Sequence, residues 1–235
     1  MTVPPIRVEN FVTARTARVA MLGPESGVKE LWYVLHGYSE LAPAFLERLR
    51  AIDDGTRLIV APEALSRFYE GRIEDRVGKS DPPVGASWMT REARDAEIAD
   101  YLAYLDGVHT MVTQRLGGVA PPVTVLGFSQ GGSTGARWVA RGSVPVARHL
   151  LWGSSMPPEI DLTALGTPIR SAETVVVIGA RDIYATPKVV ARENGLLDAA
   201  GFPYRFVSFD GGHRLDDEVL RTLAGMTVPG DATGA

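Results

Sequence analysis

The sequence predicts an α/β protein, a mostly parallel central sheet with helices on both faces. Three observations carry that expectation. Short apolar runs recur along the chain, among them LWYVL at 31–35, VTVL at 123–126 and TVVVI at 174–178. They alternate with longer stretches whose apolar residues fall at helical spacing. The runs themselves are nearly continuous, the pattern of strands buried on both faces. At 235 residues, 45% of them apolar, the chain is long enough to bury a large core, so 1–235 reads as one domain.

Taken in order, residues 16–22 read as an edge strand paired with residues near 7–12. Strands follow at 31–35, 58–61 (LIVA), 123–126, 150–152, 174–178 and 204–209 (YRFVSF). The clearest helix spans 91–116, with Ile98, Leu102, Leu105, Val112 and Leu116 on one side. Thr90 suits its N-cap, and Gly117 with Gly118 supplies the stop. Shorter helices are expected at 44–52, 133–141, 187–200 and 215–223. Pro187 fits the first turn of its helix and Gly201 the end of the same one. Residues 62–89 break the alternation and show no clear period. An irregular connection of that length is a binding loop, a lid or a disordered insert, and Phe68, Tyr69 and Trp88 argue against disorder. The tail 228–235 (VPGDATGA) reads as frayed.

A net charge of −4 at pH 7 lacks the cationic surplus that binding a polyanion requires, so nucleic acid is not an expected partner. The absence of cysteine excludes disulfides, zinc–thiolate sites and a thiol nucleophile. No apolar window reaches membrane-spanning length, so no stable membrane insertion is expected. The opening MTVPPIRVENF carries no secretion-signal pattern, which makes a cytoplasmic protein the expectation. An exposed apolar edge would support a homodimer, with no particular surface indicated.

The stretch from 123 to 140, VTVLGFSQGGSTGARWVA, joins a buried strand to a helix through Gly127-Phe128-Ser129-Gln130-Gly131. This G-x-S-x-G pattern fits a nucleophile elbow, a turn tight enough to lift the serine hydroxyl above the sheet edge. Side chains two places before and after that serine would meet neighbouring backbone, which accounts for the glycines. The following helix directs its N-terminal N–H groups at the same point. Neither the GxxxxGK[ST] nor the GxGxxG phosphate-binding spacing is met.

A serine hydroxyl needs a base, usually a histidine oriented by a carboxylate. Of four histidines, His36 comes too early for the order Ser, Asp, His that accompanies such an elbow. His109 reads as a solvated residue on the polar side of its helix, and His149 as structural at the start of a strand. His213, in FDGGHRLD after the last strand, is the candidate base. Asp182, past the strand at 174–178, is the favoured acid. Asp210 competes from three residues before the base, and Asp161 reads as surface. Two backbone donors for an oxyanion are expected from Gln130 and Tyr38, with His36 shaping the loop around the latter. Tyr38, Trp88, Phe128, Trp152 and Met156 would make the site apolar, with core packing at least as good an account of Trp152. Residues 153–158 are expected to line one wall. Arg67, Arg72 and Arg76 are the candidates for an anionic group, although solvated arginines are commoner.

Together these residues resemble the carboxylesterase/phospholipase group of α/β-hydrolases, which includes the acyl-protein thioesterases. LHGY at 35–38, APE at 61–63, GFSQGG at 127–132, GARD at 179–182 and GGH at 211–213 stand in the family's order. The resemblance implies an α/β-hydrolase fold without a large cap domain and a serine hydrolase needing neither cofactor nor metal. It carries over Ser129, Asp182 and His213 as catalytic triad, and Tyr38 and Gln130 as oxyanion donors. Trp88, Phe128 and Met156 are the expected contacts for a small-molecule ester with a small or hydrophobic acyl group. Lysophospholipase or acyl-protein thioesterase activity is the alternative, and a non-catalytic ligand-binding protein on this scaffold is the alternative of another class. The chain departs from the family at LHGYSE, where LHGLGD is common. Within 62–89, Trp88 stands in for the tryptophan of a tryptophan-tyrosine-aspartate motif.

Overall fold

A computed structural model describes residues 5–226. The expected frayed tail at 228–235 lies outside them. A seven-stranded sheet is built from β1 (Val19–Leu22), β2 (Glu30–Leu35), β3 (Arg57–Pro62), β6 (Val123–Phe128), β7 (Arg148–Trp152), β8 (Glu173–Gly179) and β9 (Tyr204–Phe209). Their spatial order is β1-β3-β2-β6-β7-β8-β9, and every pairing is parallel except β1 with β3. The chain runs outward from β2 to β3, then returns to place β6 on the other side of β2. Ligands of open parallel sheets gather beyond the carboxyl ends of strands at such a reversal.

Successive residues of the central strands feed opposite faces. Tyr33, Leu35 and Val125 pack with Leu105 and Val112 of α2 (Arg94–Arg115), Trp138 of α3 (Gln130–Arg141) and Leu197 of α5 (Pro187–Ala199). Trp32, Val34, Leu126 and Leu150 pack with Phe45 of α1 (Ala42–Glu47) and Leu220 of α6 (Asp217–Ala224). Each such side chain contributes about 1.5–3 kcal/mol by leaving water, so the two-faced pattern outweighs any local propensity. A short α4 (Pro168–Ser171) precedes β8. Two buried arginines lock α6 to the sheet. Arg57 Nη2 donates to Ala224 O at 3.1 Å and Arg148 Nη1 to Leu223 O at 3.1 Å, cations on the carbonyl end of a helix. Among the described residues no helix is long and apolar enough to cross a membrane.

Several boundaries differ from expectation for local reasons. β1 pairs with β3 (Val19 opposite Pro62) and not with residues 7–12, where Ile6, Val8, Phe11 and Val12 are exposed. The fully buried β3 has a vacant edge, and filling its ladder outweighs a hairpin that would bury little. The helix expected at 44–52 stops at Glu47 and resumes as a 3-10 turn, Arg50–Ile52. α2 starts after Ala93 (φ +46) instead of Thr90, because Thr90 N–H and Oγ1 both donate to Glu97 Oε2 (2.5 and 3.2 Å). Its far end is as expected: Gly118 N–H bonds Thr113 O at 2.9 Å with Gly117 at φ +88, the glycine-terminated motif of helix ends. The 62–89 segment is not wholly irregular. Within it β4 (Ser66–Tyr69) and β5 (Val84–Ser87) pair antiparallel as a separate ribbon.

Candidate active site

Ser129 sits between β6 and α3 with φ +55 and ψ −120, a conformation few side-chain-bearing residues adopt. The flanking glycines are required by space. A Cβ on Gly127 would lie 2.3 Å from Gly131 O, and one on Gly131 would lie 2.2 Å from Leu35 O. Ser129 N–H donates to Trp152 O at 2.9 Å, and Gly132 N–H to Ser129 O at 2.9 Å, so the turn is held from both sides. The elbow inferred from the sequence is therefore present.

His213 and Asp182 meet across the ends of β8 and β9. Imidazole Nδ1 lies 2.7 Å from Asp182 Oδ2, and the other carboxylate oxygen accepts from the N–H groups of Tyr184 (2.9 Å) and Ala185 (3.3 Å). The Asp182 side chain is 1% exposed. A carboxylate this buried and this fully bonded has one orientation, and it fixes the ring tautomer with Nε2 on the far side. Asp210, the competitor, is exposed and pairs with Arg181. His213 packs against Phe128 (ring centroids 4.8 Å apart) and Tyr184 (4.9 Å). Ser129 and His213 line one cavity of about 700 Å³. Among the described residues the serine hydroxyl makes no hydrogen bond, to His213 or to any other group.

Tyr38 and Gln130 line the same cavity, and among the described residues neither backbone N–H has a protein acceptor. Glu40 holds the first loop by accepting from Gly37 N–H at 2.7 Å, and it pairs with Arg48. His36 lies below. Its Nε2 accepts from Ala64 N–H at 3.0 Å, so Nδ1 carries the proton and donates to Gly37 O at 2.7 Å. Burial pushes its pKa below the usual imidazole value.

The substrate-facing expectations are corrected in part. Phe128 lines the cavity, as do Gly153, Ser154 and Ser155 of the expected wall. Trp88 does not. Its indole N–H donates to His36 O at 2.9 Å and its ring lies edge-on to Tyr101, because a buried donor must find an acceptor. Met156 is drawn into the core on the α2 side and also leaves the cavity wall. Trp152 is core, with Nε1 bonded to Arg214 O at 2.9 Å. Arg67, Arg72 and Arg76 lie off the cavity; Arg67 pairs with Glu63 and Arg72 with Glu74. His109 is half-buried and bonds Tyr33 Oη at 2.9 Å, where a solvated surface residue was expected. Unforeseen lining comes from Val189, Val190, Glu193 and Asn194 of α5 and from Phe206 of β9. Their sequence spacing gives α5 an amphipathic face but not what that face meets.

No family model matches the sequence, and no curated protein matches it. Solved structures do. A carboxylesterase from Mesorhizobium loti superposes with TM-score 0.66 at 20% identity, over 89% of this chain and 95% of that one. Acyl-protein thioesterase 2 of Zea mays gives 0.64 at 17% identity, over 88% and 98%. A Bacillus cereus carboxylesterase gives 0.64 at 13%, over 88% and 92%. Likeness at such identity carries the architecture: the chain has the α/β-hydrolase fold.

Proposed function

We propose that the chain is a serine esterase that cleaves carboxylic esters, thioesters included, through an acyl-enzyme. The observation that carries this reading is the 2.7 Å contact of His213 Nδ1 with a buried Asp182, beside a cavity shared with the strained Ser129. Ser129 Oγ attacks the substrate carbonyl carbon as its proton passes to His213 Nε2. The carbonyl oxygen becomes an oxyanion received by the N–H groups of Tyr38 and Gln130, each donor worth roughly 3 kcal/mol of barrier. On collapse the bond to the leaving alcohol or thiol breaks, and His213 returns the proton to it. Water then attacks the acyl carbon with His213 as base, releasing the acid and restoring Ser129.

The cavity walls bear on substrate class. Phe128, Val176, Ile178, Tyr184, Val190 and Phe206 make them mostly apolar, whereas Glu40 and Glu193 carry charge and among the described residues no lysine or arginine lines them. Uncharged esters with a hydrophobic acyl group suit such a lining. The arginines nearest these carboxylates, Arg48 and Arg192, are already paired with them, so among the described residues a phosphate-bearing lysolipid would meet no unpaired cation, which favours a simple ester or thioester over the lysophospholipase alternative.

A fluorophosphonate probe is expected to label the chain once, at Ser129. Ser129→Ala should abolish labelling and lower p-nitrophenyl butyrate turnover by at least a thousandfold with an unchanged melting transition. A folded wild-type chain that neither reacts nor turns over substrate would sink the reading.

A further inference from the structure

The ribbon of residues 62–89 touches both loops that end in the free N–H groups. Gln130 is bound to it through its side chain: Oε1 accepts from Trp88 N–H at 3.0 Å, and Nε2 donates to Met89 O at 2.8 Å and Ser87 Oγ at 3.2 Å. All three partners follow one another at the end of β5, so the side-chain amide is saturated by a single stretch of chain. The Tyr38 loop is bound to the same strand. Ser39 N–H donates to Ala86 O at 2.9 Å, and Glu40 bridges Ala86. Ser39 is held at φ +66, and its hydroxyl donates to Glu70 just beyond β4. Gly85 leaves no spare room: a Cβ there would lie 2.6 Å from Ser39 Cα and 2.8 Å from Ser39 O. The Tyr38 ring also stacks on Phe68 of β4, centroids 5.2 Å apart.

We infer that the ribbon is a positioning strap, in which Gly85 and the Gln130 side chain set the spacing of the two oxyanion donors. The inference rests on the esterase reading. β2 and β6 already fix the donors' strands, but each donor lies past its strand's last ladder bond. The Ser129 turn and the Gly37 loop have bonds of their own, and the ribbon adds the hydrogen-bonded contact common to both, which fixes the gap between the donors more narrowly than either loop does alone. The strap acts on transition-state charge, because the gap matters only once the carbonyl oxygen is tetrahedral and negative.

Two variants test this without touching the donor atoms. Gln130→Met keeps its backbone N–H and side-chain length but loses all three side-chain bonds. Gly85→Ala pushes on Ser39. Both are expected to lower kcat for p-nitrophenyl butyrate at least tenfold with KM within twofold. The inhibition constant of a trifluoromethyl ketone, whose adduct carries the oxyanion, should rise by the same factor as kcat/KM falls. Should Gly85→Ala not fold, Gln130→Met decides alone, read against its own melting transition. A lower melting transition with kcat and ketone affinity within twofold of wild type would overturn the strap and leave the esterase reading standing. A wild-type chain inert to both substrate and ketone would overturn the two together.

Discussion

His36, His109, His149 and His213 carry the same side chain into four environments, and its chemistry follows the surroundings. His213 has a buried carboxylate on one nitrogen and a cavity on the other. His36 is buried and bonded at both nitrogens, and His109 is half-buried against Tyr33. His149 is fully buried on β7 with no hydrogen-bond partner at either nitrogen among the described residues, and burial lowers its pKa to about 4. Burial lowers the pKa of His36 and His109 as well. A base whose folded pKa lies below its unfolded value of about 6.5 is protonated first in the unfolded chain. The stability it contributes is therefore complete above pH 6.5 and is lost as pH falls from there toward the folded value. Unfolding free energy is expected to drop between pH 7.5 and 5, as read from urea titrations. In His149→Leu that drop should shrink by about 2 kcal/mol, the share of a group shifted to about 4. His213 could be chosen in the sequence by chain order alone. The half-buried state of His109 could not, because the apolar stripe of a helix leaves its margins unassigned.

Elements show the same dependence on context through their glycines. Gly127 and Gly131 sit where a Cβ would strike backbone at 2.3 and 2.2 Å. Gly107 in α2 and Gly195 in α5 have nothing within 4 Å of such an atom. Alanine is thus expected to act with opposite sign. Gly131→Ala should lower the melting transition or prevent folding, whereas Gly107→Ala and Gly195→Ala should each stabilise by about 0.5–1 kcal/mol through helix propensity. Thermal melts of the three variants check this. The central strands and the long helix were legible because their apolar patterns run over many residues. β4 and β5, four residues each, are too short to show a period. The partner of β1 depended on which sheet edge stood open, a property no local window contains.

At the scale of the molecule, one sheet gathers groups from four strand ends: the Tyr38 loop after β2, Ser129 after β6, Asp182 after β8 and His213 after β9. The parallel arrangement is what points those ends the same way. The buried Arg57 and Arg148 draw the far end of α6 onto the sheet, so the chain leaving His213 is anchored at the next element. The cavity formed between these ends carries Glu40 and Glu193 on its wall, and Glu40 already serves Gly37 and Arg48. Glu193 is paired too, with Arg192, but both guanidinium contacts (2.6 and 3.1 Å) go to Oε1, so among the described residues Oε2 is the carboxylate oxygen available to a substrate. Among p-nitrophenyl esters of equal chain length, those with a neutral end are expected to exceed those with a carboxylate end in kcat/KM about threefold at low salt, Arg192 offsetting part of the Glu193 charge. Glu193→Gln should narrow that preference, and equal rates for both series would count against the assignment.

The order of the seven sheet strands, the tight turn with its two obligatory glycines, and Ser129, Asp182 and His213 as candidates were readable from the sequence. Each is written in a contiguous pattern or in chain order, which local sterics and burial enforce wherever the segment lies. The burial of Asp182 against His213, the withdrawal of Trp88 and Met156 into the core, the α5 wall and the ribbon's contacts with the Tyr38 and Gln130 loops were decided only by the tertiary structure. Those outcomes depend on which distant surfaces come to share a space, and there a buried polar atom takes the partner it meets in three dimensions.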